Sequence, residues 1–68
     1  MAVAKVTEIS STSTQSFEDA MNQGIARANQ TIRNLRGAWV KEQQVKLADG
    51  KITEYQVNLL LTFVLEEE

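Results

Sequence analysis

Apolar side chains recur at three- and four-residue intervals through the middle of the chain, from Phe17 to Leu35. This spacing puts them on one side of a helix, in a stripe formed by Phe17, Ala20, Met21, Gly24, Ile25, Ala28, Ile32 and Leu35. Ser13 or Ser16 suits the N-cap, where a hydroxyl accepts from the free amides of the first turn. Gly37 suits the C-terminal cap. The pattern therefore predicts a helix over about 14–36.

Strands are predicted on both sides of this helix. β-Branched residues indicate a first strand over about 3–10, before a Ser/Thr-rich loop. A second strand is predicted over about 38–47, and its alternation changes phase, which predicts a β-bulge around Glu42 to Gln44. Asp49-Gly50 then marks a hairpin turn, followed by a third strand over about 51–65. The order is βαββ, an α+β fold in which a three-stranded antiparallel sheet wraps one long helix.

The third strand has two different faces. Its odd positions from Tyr55 to Leu65 are all apolar and should pack on the helix stripe. Its even positions mix polar residues with Leu60 and Val64. One helix covers only one face of a sheet, so the second face needs another partner. A chain of 68 residues without Cys or His also lacks disulfide and zinc staples. We therefore predict a single domain over 1–68 that self-associates.

Charge and composition argue against several classes of function. The formal net charge is −2, and the chain lacks the Lys/Arg cluster with interleaved aromatics that is typical of nucleic-acid binding. Neither a signal peptide nor an apolar window of membrane length is present, so we expect a cytoplasmic protein without a membrane partner. The acidic residues are scattered, and without Cys or His the usual nucleophilic triads cannot form. We expect no enzyme and no catalytic residues.

With this layout in place, several segments resemble the dodecin family in their order and spacing along nearly the whole chain. They are Thr12-Ser13, Ile25-Ala26-Arg27-Ala28, Thr31-Ile32-Arg33-Asn34-Leu35, Val40-Lys41-Glu42, Tyr55-Gln56-Val57 and Phe63-Val64-Leu65-Glu66. The resemblance implies a hollow homododecamer that binds a flavin, either flavin mononucleotide (FMN) or riboflavin, for storage and photoprotection. It also implies that some relatives carry coenzyme A and that others bind calcium instead of flavin.

The residue-by-residue match to the family is partial. Gln56 matches the glutamine that hydrogen-bonds the polar edge of the flavin ring. The tryptophan that covers this ring falls on Gly37, and Trp39 lies two residues further on, on the same face of a regular strand. Around Gln43-Gln44-Val45 an arginine-glycine pair of many relatives is absent. The flavin-binding candidates are Trp39, Gln56 and Gln44, and their alternative roles are an interface aromatic and structural or solvated amides.

A second hypothesis is a dodecin-like shell that does not bind flavin. It would instead bind calcium or another hard cation, or act as a structural or carrier assembly. Calcium prefers several oxygen ligands. Near a threefold axis of the assembly, one carboxylate from each of three subunits could supply them together. The candidate ligands are Glu8, Asp19 and Glu54, with solvated surface acids as the alternative reading. The Glu66-Glu67-Glu68 end is expected to be a solubilising tail.

Overall fold

The structure, a computed structural model, describes residues 3–65. The elements in chain order are β1 (Ala4–Ser13), α1 (Phe17–Asn29), β2 (Leu35–Ala48) and β3 (Lys51–Val64). β3 lies at the centre of a three-stranded sheet of order β1-β3-β2 and runs antiparallel to both neighbours. The predicted βαββ fold is therefore confirmed, and the acidic end over 66–68 lies outside the described residues.

The core lies between α1 and one face of the sheet. It combines fully buried side chains of β3 with buried small residues of α1, namely Val57, Leu59, Leu61, Ala20, Gly24 and Ala28. Small residues let the helix approach the sheet closely: a Cβ added to Gly24 would lie 3.0 Å from the Cβ of Ser11 on β1. The predicted helix stripe and the predicted apolar face of β3 therefore meet.

The helix begins later than the predicted start at about 14. Ser16 is the N-cap, and its Oγ accepts from the backbone N–H of Asp19 at 2.9 Å. Ser13 instead donates its hydroxyl to the Asp19 carboxylate at 2.6 Å and accepts from the Gln15 amide at 2.9 Å. Because Ser11 to Ser13 pair with β3, β1 extends beyond the predicted range of 3–10.

The predicted helix end at about 36 is wrong, because α1 ends at Asn29. Asn34 adopts a left-handed φ of 63°, a conformation that asparagine tolerates better than most residues, and the chain turns there into β2. Ile32 and Leu35 still pack against the core, which explains why their spacing continued the helical pattern. Among the described residues, no helix has the length and apolar character needed to cross a membrane.

The phase change predicted in the second strand comes from a β-bulge. The register shifts between Val40 and Glu42, so that Lys41 is the extra residue. Val40 pairs with Leu59 and Val45 with Tyr55, so both lie on the side of the sheet that faces α1. The bulge was predicted around 42–44 and is found one residue earlier.

The β2–β3 hairpin makes the subunit long and thin. Its turn has positive φ at Asp49 (54°) and Gly50 (77°), as a type I′ hairpin turn requires. The principal extents are 54 × 19 × 13 Å and the Cα radius of gyration is 14.1 Å, against about 11 Å for a compact chain of this length. Near the tip, Leu47 and Ile52 are 62% and 50% exposed. The lone subunit therefore leaves much apolar surface uncovered.

Candidate functional site

The face of the sheet opposite α1, here called the open face, is covered by no helix or strand of residues 3–65. Strand alternation and register align its side chains in rows that cross β1, β3 and β2. Four successive rows are Val6–Thr62–Gly37, Glu8–Leu60–Trp39, Ser10–Asn58–Glu42 and Thr12–Gln56–Gln44. All three candidate flavin residues, Trp39, Gln44 and Gln56, therefore lie on one face.

The polar half of this face carries a hydrogen-bonded group, here called the polar patch, which comprises Ser10, Glu42, Gln44, Gln56 and Asn58. Gln56 Nε2 donates to Ser10 Oγ at 3.1 Å and to Asn58 Oδ1 at 3.2 Å. Asn58 Nδ2 in turn donates to Glu42 Oε1 at 2.7 Å. The carboxylate thus orients Asn58, which orients Gln56. Since these bonds use the Nε2 end of Gln56, its Oε1 is left to accept from a ligand.

A shallow cavity of about 300 Å³ lies over the polar patch and is lined by Glu42, Gln43, Gln44, Gln56 and Asn58. Its volume is at the lower end of the range for small-molecule sites. Each side-chain amide offers donors and an acceptor on adjacent atoms. The cavity therefore suits a planar polar group that presents both an N–H and a carbonyl oxygen.

The other half of the open face is apolar. Trp39 is 72% exposed and lies opposite Leu60 in the β2–β3 register, with the apolar side chains of Val6 and Val64 on the same face. The Trp39 row and the Gln56 row are four residues apart along β3, which corresponds to about 13 Å. The aromatic platform and the amide therefore do not touch within one subunit.

Gly37 occupies the row beyond Trp39, opposite Thr62. A Cβ built at Gly37 would meet no atom within 4 Å, so the space above it is open. The stacking position suggested by the family resemblance thus has room for a side chain but carries none. Within the subunit, Trp39 is the aromatic residue that the open face presents.

The three carboxylates predicted as cation ligands lie apart. Glu8 is on the open face, where its Oε1 is 3.3 Å from Lys41 Nζ. Asp19 is in the first turn of α1 and accepts from the Ser13 hydroxyl, while Glu54 is on β3. In residues 3–65, no three His, Cys, Asp or Glu side chains are grouped so that they could hold a metal ion. The structure does not bring the predicted ligands together in one subunit.

Sequence reasoning did not place Glu42 and Asn58 in the site. Asn58 occupies an even position of β3, so its face was predictable. The side of Glu42 depends on where the bulge lies. With Lys41 as the extra residue, Glu42 pairs with Asn58 and turns toward the open face. The bulge position was therefore the signal needed to find this carboxylate.

Comparison with known proteins agrees with this architecture. The family model described as Dodecin matches residues 3–66. The dodecin of Thermus thermophilus is 38% identical over 65 residues, which cover 96% of this chain and 94% of that protein. The solved structure of an arginine-to-alanine variant of T. thermophilus dodecin matches with a TM-score of 0.92 at 37% identity and covers 100% of both chains.

Two further solved structures extend the comparison. Dodecin from Streptomyces coelicolor has a TM-score of 0.91 and 34% identity, and covers 98% of this chain and 96% of that one. The calcium-chelating antigen of Mycobacterium tuberculosis, named calcium dodecin, has a TM-score of 0.81 and 33% identity. The match covers 97% of this chain and 94% of that one. The family model and these relatives each span nearly the entire chain, and the chain belongs to the dodecin family.

Proposed function

We propose that this chain assembles into a hollow homododecamer that binds a flavin, riboflavin or FMN, for storage and photoprotection, without catalysing a reaction. The observation that carries the proposal is the shared placement of Trp39, Gln44 and Gln56 on the open face, where Gln44 and Gln56 line a polar cavity. Family membership gives this placement its meaning, since the same face would otherwise be only an uncovered sheet.

In this proposal Trp39 and Gln56 have complementary roles. The indole supplies a large rigid face for the flavin ring, and aromatic stacking contributes about 0.5–1.5 kcal/mol beyond buried area. The Gln56 amide recognises the polar edge of the ring, which offers an imide N–H and carbonyl oxygens. Stacking against the indole also quenches the excited flavin, which is the basis of the proposed photoprotection.

The distance between these two groups favours a pocket shared by subunits. Trp39 and Gln56 are about 13 Å apart along the sheet, and the open face of one subunit has no cover of its own among residues 3–65. A second open face placed over the first across a twofold axis would bury Leu60 and Val64 and enclose the flavin. The elongated shape of the subunit supports such assembly.

Titration of the purified assembly with riboflavin tests the proposal directly. We expect strong quenching of flavin fluorescence, with light scattering that gives a mass of twelve subunits. Gln56→Met should weaken binding, because methionine keeps the length of the side chain and removes the amide. Gln30→Met, at the exposed C-cap of α1, is the matched control and should bind normally. An assembly that leaves both riboflavin and FMN unquenched at micromolar protein would refute the proposal.

A second candidate function is calcium binding, which the M. tuberculosis relative favours by its description as calcium dodecin. Because the carboxylates of one subunit lie apart, a cation would need ligands from several subunits around a symmetry axis. Calorimetric titration of the metal-free assembly with Ca²⁺ separates this candidate from the first. A colourless assembly that takes up Ca²⁺ and does not quench riboflavin would favour it.

A further inference from the structure

The open face alone does not build a shell of twelve subunits. When two open faces meet across a twofold axis, both subunits use the same surface, so the contact ends at a dimer. A hollow shell of twelve equivalent subunits therefore needs a second contact, which repeats around a threefold axis. Such a contact joins two different surfaces of the subunit, head to tail. The subunit must carry two further uncovered surfaces that fit each other.

The first surface is the end of the β2–β3 hairpin, here called the arm, which comprises residues 46–53. Leu47 pairs in register with Ile52, so their side chains lie on one side of the hairpin, and they are 62% and 50% exposed. The ring of Phe17, the first residue of α1, lies 5.1 Å from that of Tyr55. The helix thus begins level with Tyr55, and the arm projects an apolar pair beyond it.

The second surface is a groove between α1 and β2. The helix packs against β1 and β3 and leaves the helix side of β2 largely bare, where Ala38 is exposed and Val40 is 43% exposed. A mainly apolar cavity of about 310 Å³ lies there, lined by Ile25, Asn29, Leu35, Arg36, Gly37 and Ala38. This volume is about ten times the share of one water molecule in the liquid, so it can take two aliphatic side chains.

We propose that the arm of one subunit docks in the groove of a second copy, and that three copies joined in this way close a ring. The inference rests on the shell proposed above and identifies the second contact that the shell requires. Ala38 and Leu47 are nine residues apart on β2, about 30 Å, so an arm cannot reach the groove of its own subunit. Leu47 lies on the same side of β2 as Val45, the helix side, and the contact therefore leaves the open face free.

Leu47→Lys tests the contact by light scattering. The exposed position lets the subunit fold, but in the groove of a second copy the ammonium would be buried near Arg36. We expect the mass to fall from twelve subunits to two, because the twofold contact remains. Adding Ala38→Glu gives the lysine an opposite charge in the groove and should restore twelve. Ala48→Lys is the matched control, since it adds the same charge at the next residue, on the other side of the hairpin, and should stay at twelve.

Cross-linking tests the ring itself, and it reports on introduced thiols alone because the chain has no cysteine. In the double variant Leu47→Cys/Ala38→Cys, a short bismaleimide linker should give covalent dimers and trimers on a denaturing gel. Nothing longer should form, because a ring of three closes. Leu47→Cys alone has one thiol per subunit and cannot give trimers.

The outcomes separate the inference from the function on which it rests. A Leu47→Lys protein that remains at twelve subunits overturns the inference, as does a double-thiol variant that yields no trimers or yields longer products. If Leu47→Lys does not fold, the thiol variant decides alone. An unaltered protein that does not reach twelve subunits refutes the shell and this inference with it. A shell of twelve that leaves riboflavin unquenched refutes the flavin function, while the contact between arm and groove is still judged by mass and cross-links.

Discussion

Replacement of Trp39 by leucine and, in parallel, by phenylalanine tests whether its indole is a flavin platform or an aromatic at a subunit interface. Trp39 is 72% exposed in the subunit and lies opposite Leu60. Few contacts within the subunit depend on it, so either change should alter subunit stability by only about 0.5 kcal/mol. Leucine keeps an apolar side chain for an interface, and phenylalanine also keeps an aromatic face.

The expected loss of affinity follows from the exposed area of the indole. Aromatic stacking contributes about 0.5–1.5 kcal/mol to binding, in addition to the contribution of the buried apolar area. Leucine also presents roughly 60 Å² less apolar surface than the indole, which is worth about 1.5 kcal/mol at 25 cal/mol per Å². The sum for Trp39→Leu is about 2–3 kcal/mol, or a 30- to 150-fold weaker complex with riboflavin. Trp39→Phe should lose about tenfold or less, because it retains part of the stacking.

Two measurements are needed for each variant: riboflavin affinity by fluorescence quenching, and assembly mass by light scattering. The platform role predicts that Trp39→Leu stays assembled and loses affinity. If this variant stays assembled and binds riboflavin within about threefold of the unaltered protein, the stacking argument is wrong. If it falls apart into smaller species while Trp39→Phe does not, the residue acts chiefly as an interface aromatic.

Three further substitutions test single features of the structure. Gly37→Trp fills open space beside Trp39 and should tighten riboflavin binding about tenfold through a second aromatic face; unchanged affinity with intact assembly would contradict this. Gly24→Ala brings a Cβ to 3.0 Å from Ser11 Cβ, and this overlap should outweigh the roughly 0.5–1 kcal/mol gained in helix propensity. The thermal midpoint should therefore fall, and Ser11→Gly should partly restore it; a higher midpoint for Gly24→Ala would refute the close approach. Ser16→Ala removes the N-cap acceptor and should cost about 1 kcal/mol of unfolding free energy in denaturant titrations, whereas an unchanged midpoint would show that the cap is dispensable.

Most of the fold could be predicted because β3 carries two independent patterns on its two faces. Its odd positions match the apolar stripe of α1, and Val57, Leu59 and Leu61 are fully buried. The end of the helix could not be predicted in the same way. Ile32 and Leu35 reach the core from a turn and a strand, so the burial pattern alone cannot distinguish them from helical residues. The decisive residue is Asn34, whose left-handed φ leaves only a weak trace in sequence.

The candidate site was partly predictable for a related reason. Trp39 and Gln56 were placed by the two-residue period of a strand, which needs no tertiary information. Glu42 depends on the bulge, and the bulge lies at Lys41 rather than at 42–44. An error of one residue in a bulge moves a side chain to the other face. The charge of the polar patch was therefore beyond the reach of sequence reasoning, although the amides beside it were not.

The two departures from the family pattern fall on the same surface. Gly37 lies six residues from the Gln56 row along β3, about 20 Å away, whereas Trp39 lies about 13 Å away. An aromatic at Trp39 is thus one row nearer to the recognising amide than one at Gly37 would be. Gln44, in the stretch that lacks the arginine-glycine pair of many relatives, is part of the polar patch and lines its cavity. If flavin binds as proposed, Trp39 and not residue 37 therefore supplies its aromatic platform, and the amides of the polar patch take the place of the arginine at its polar edge.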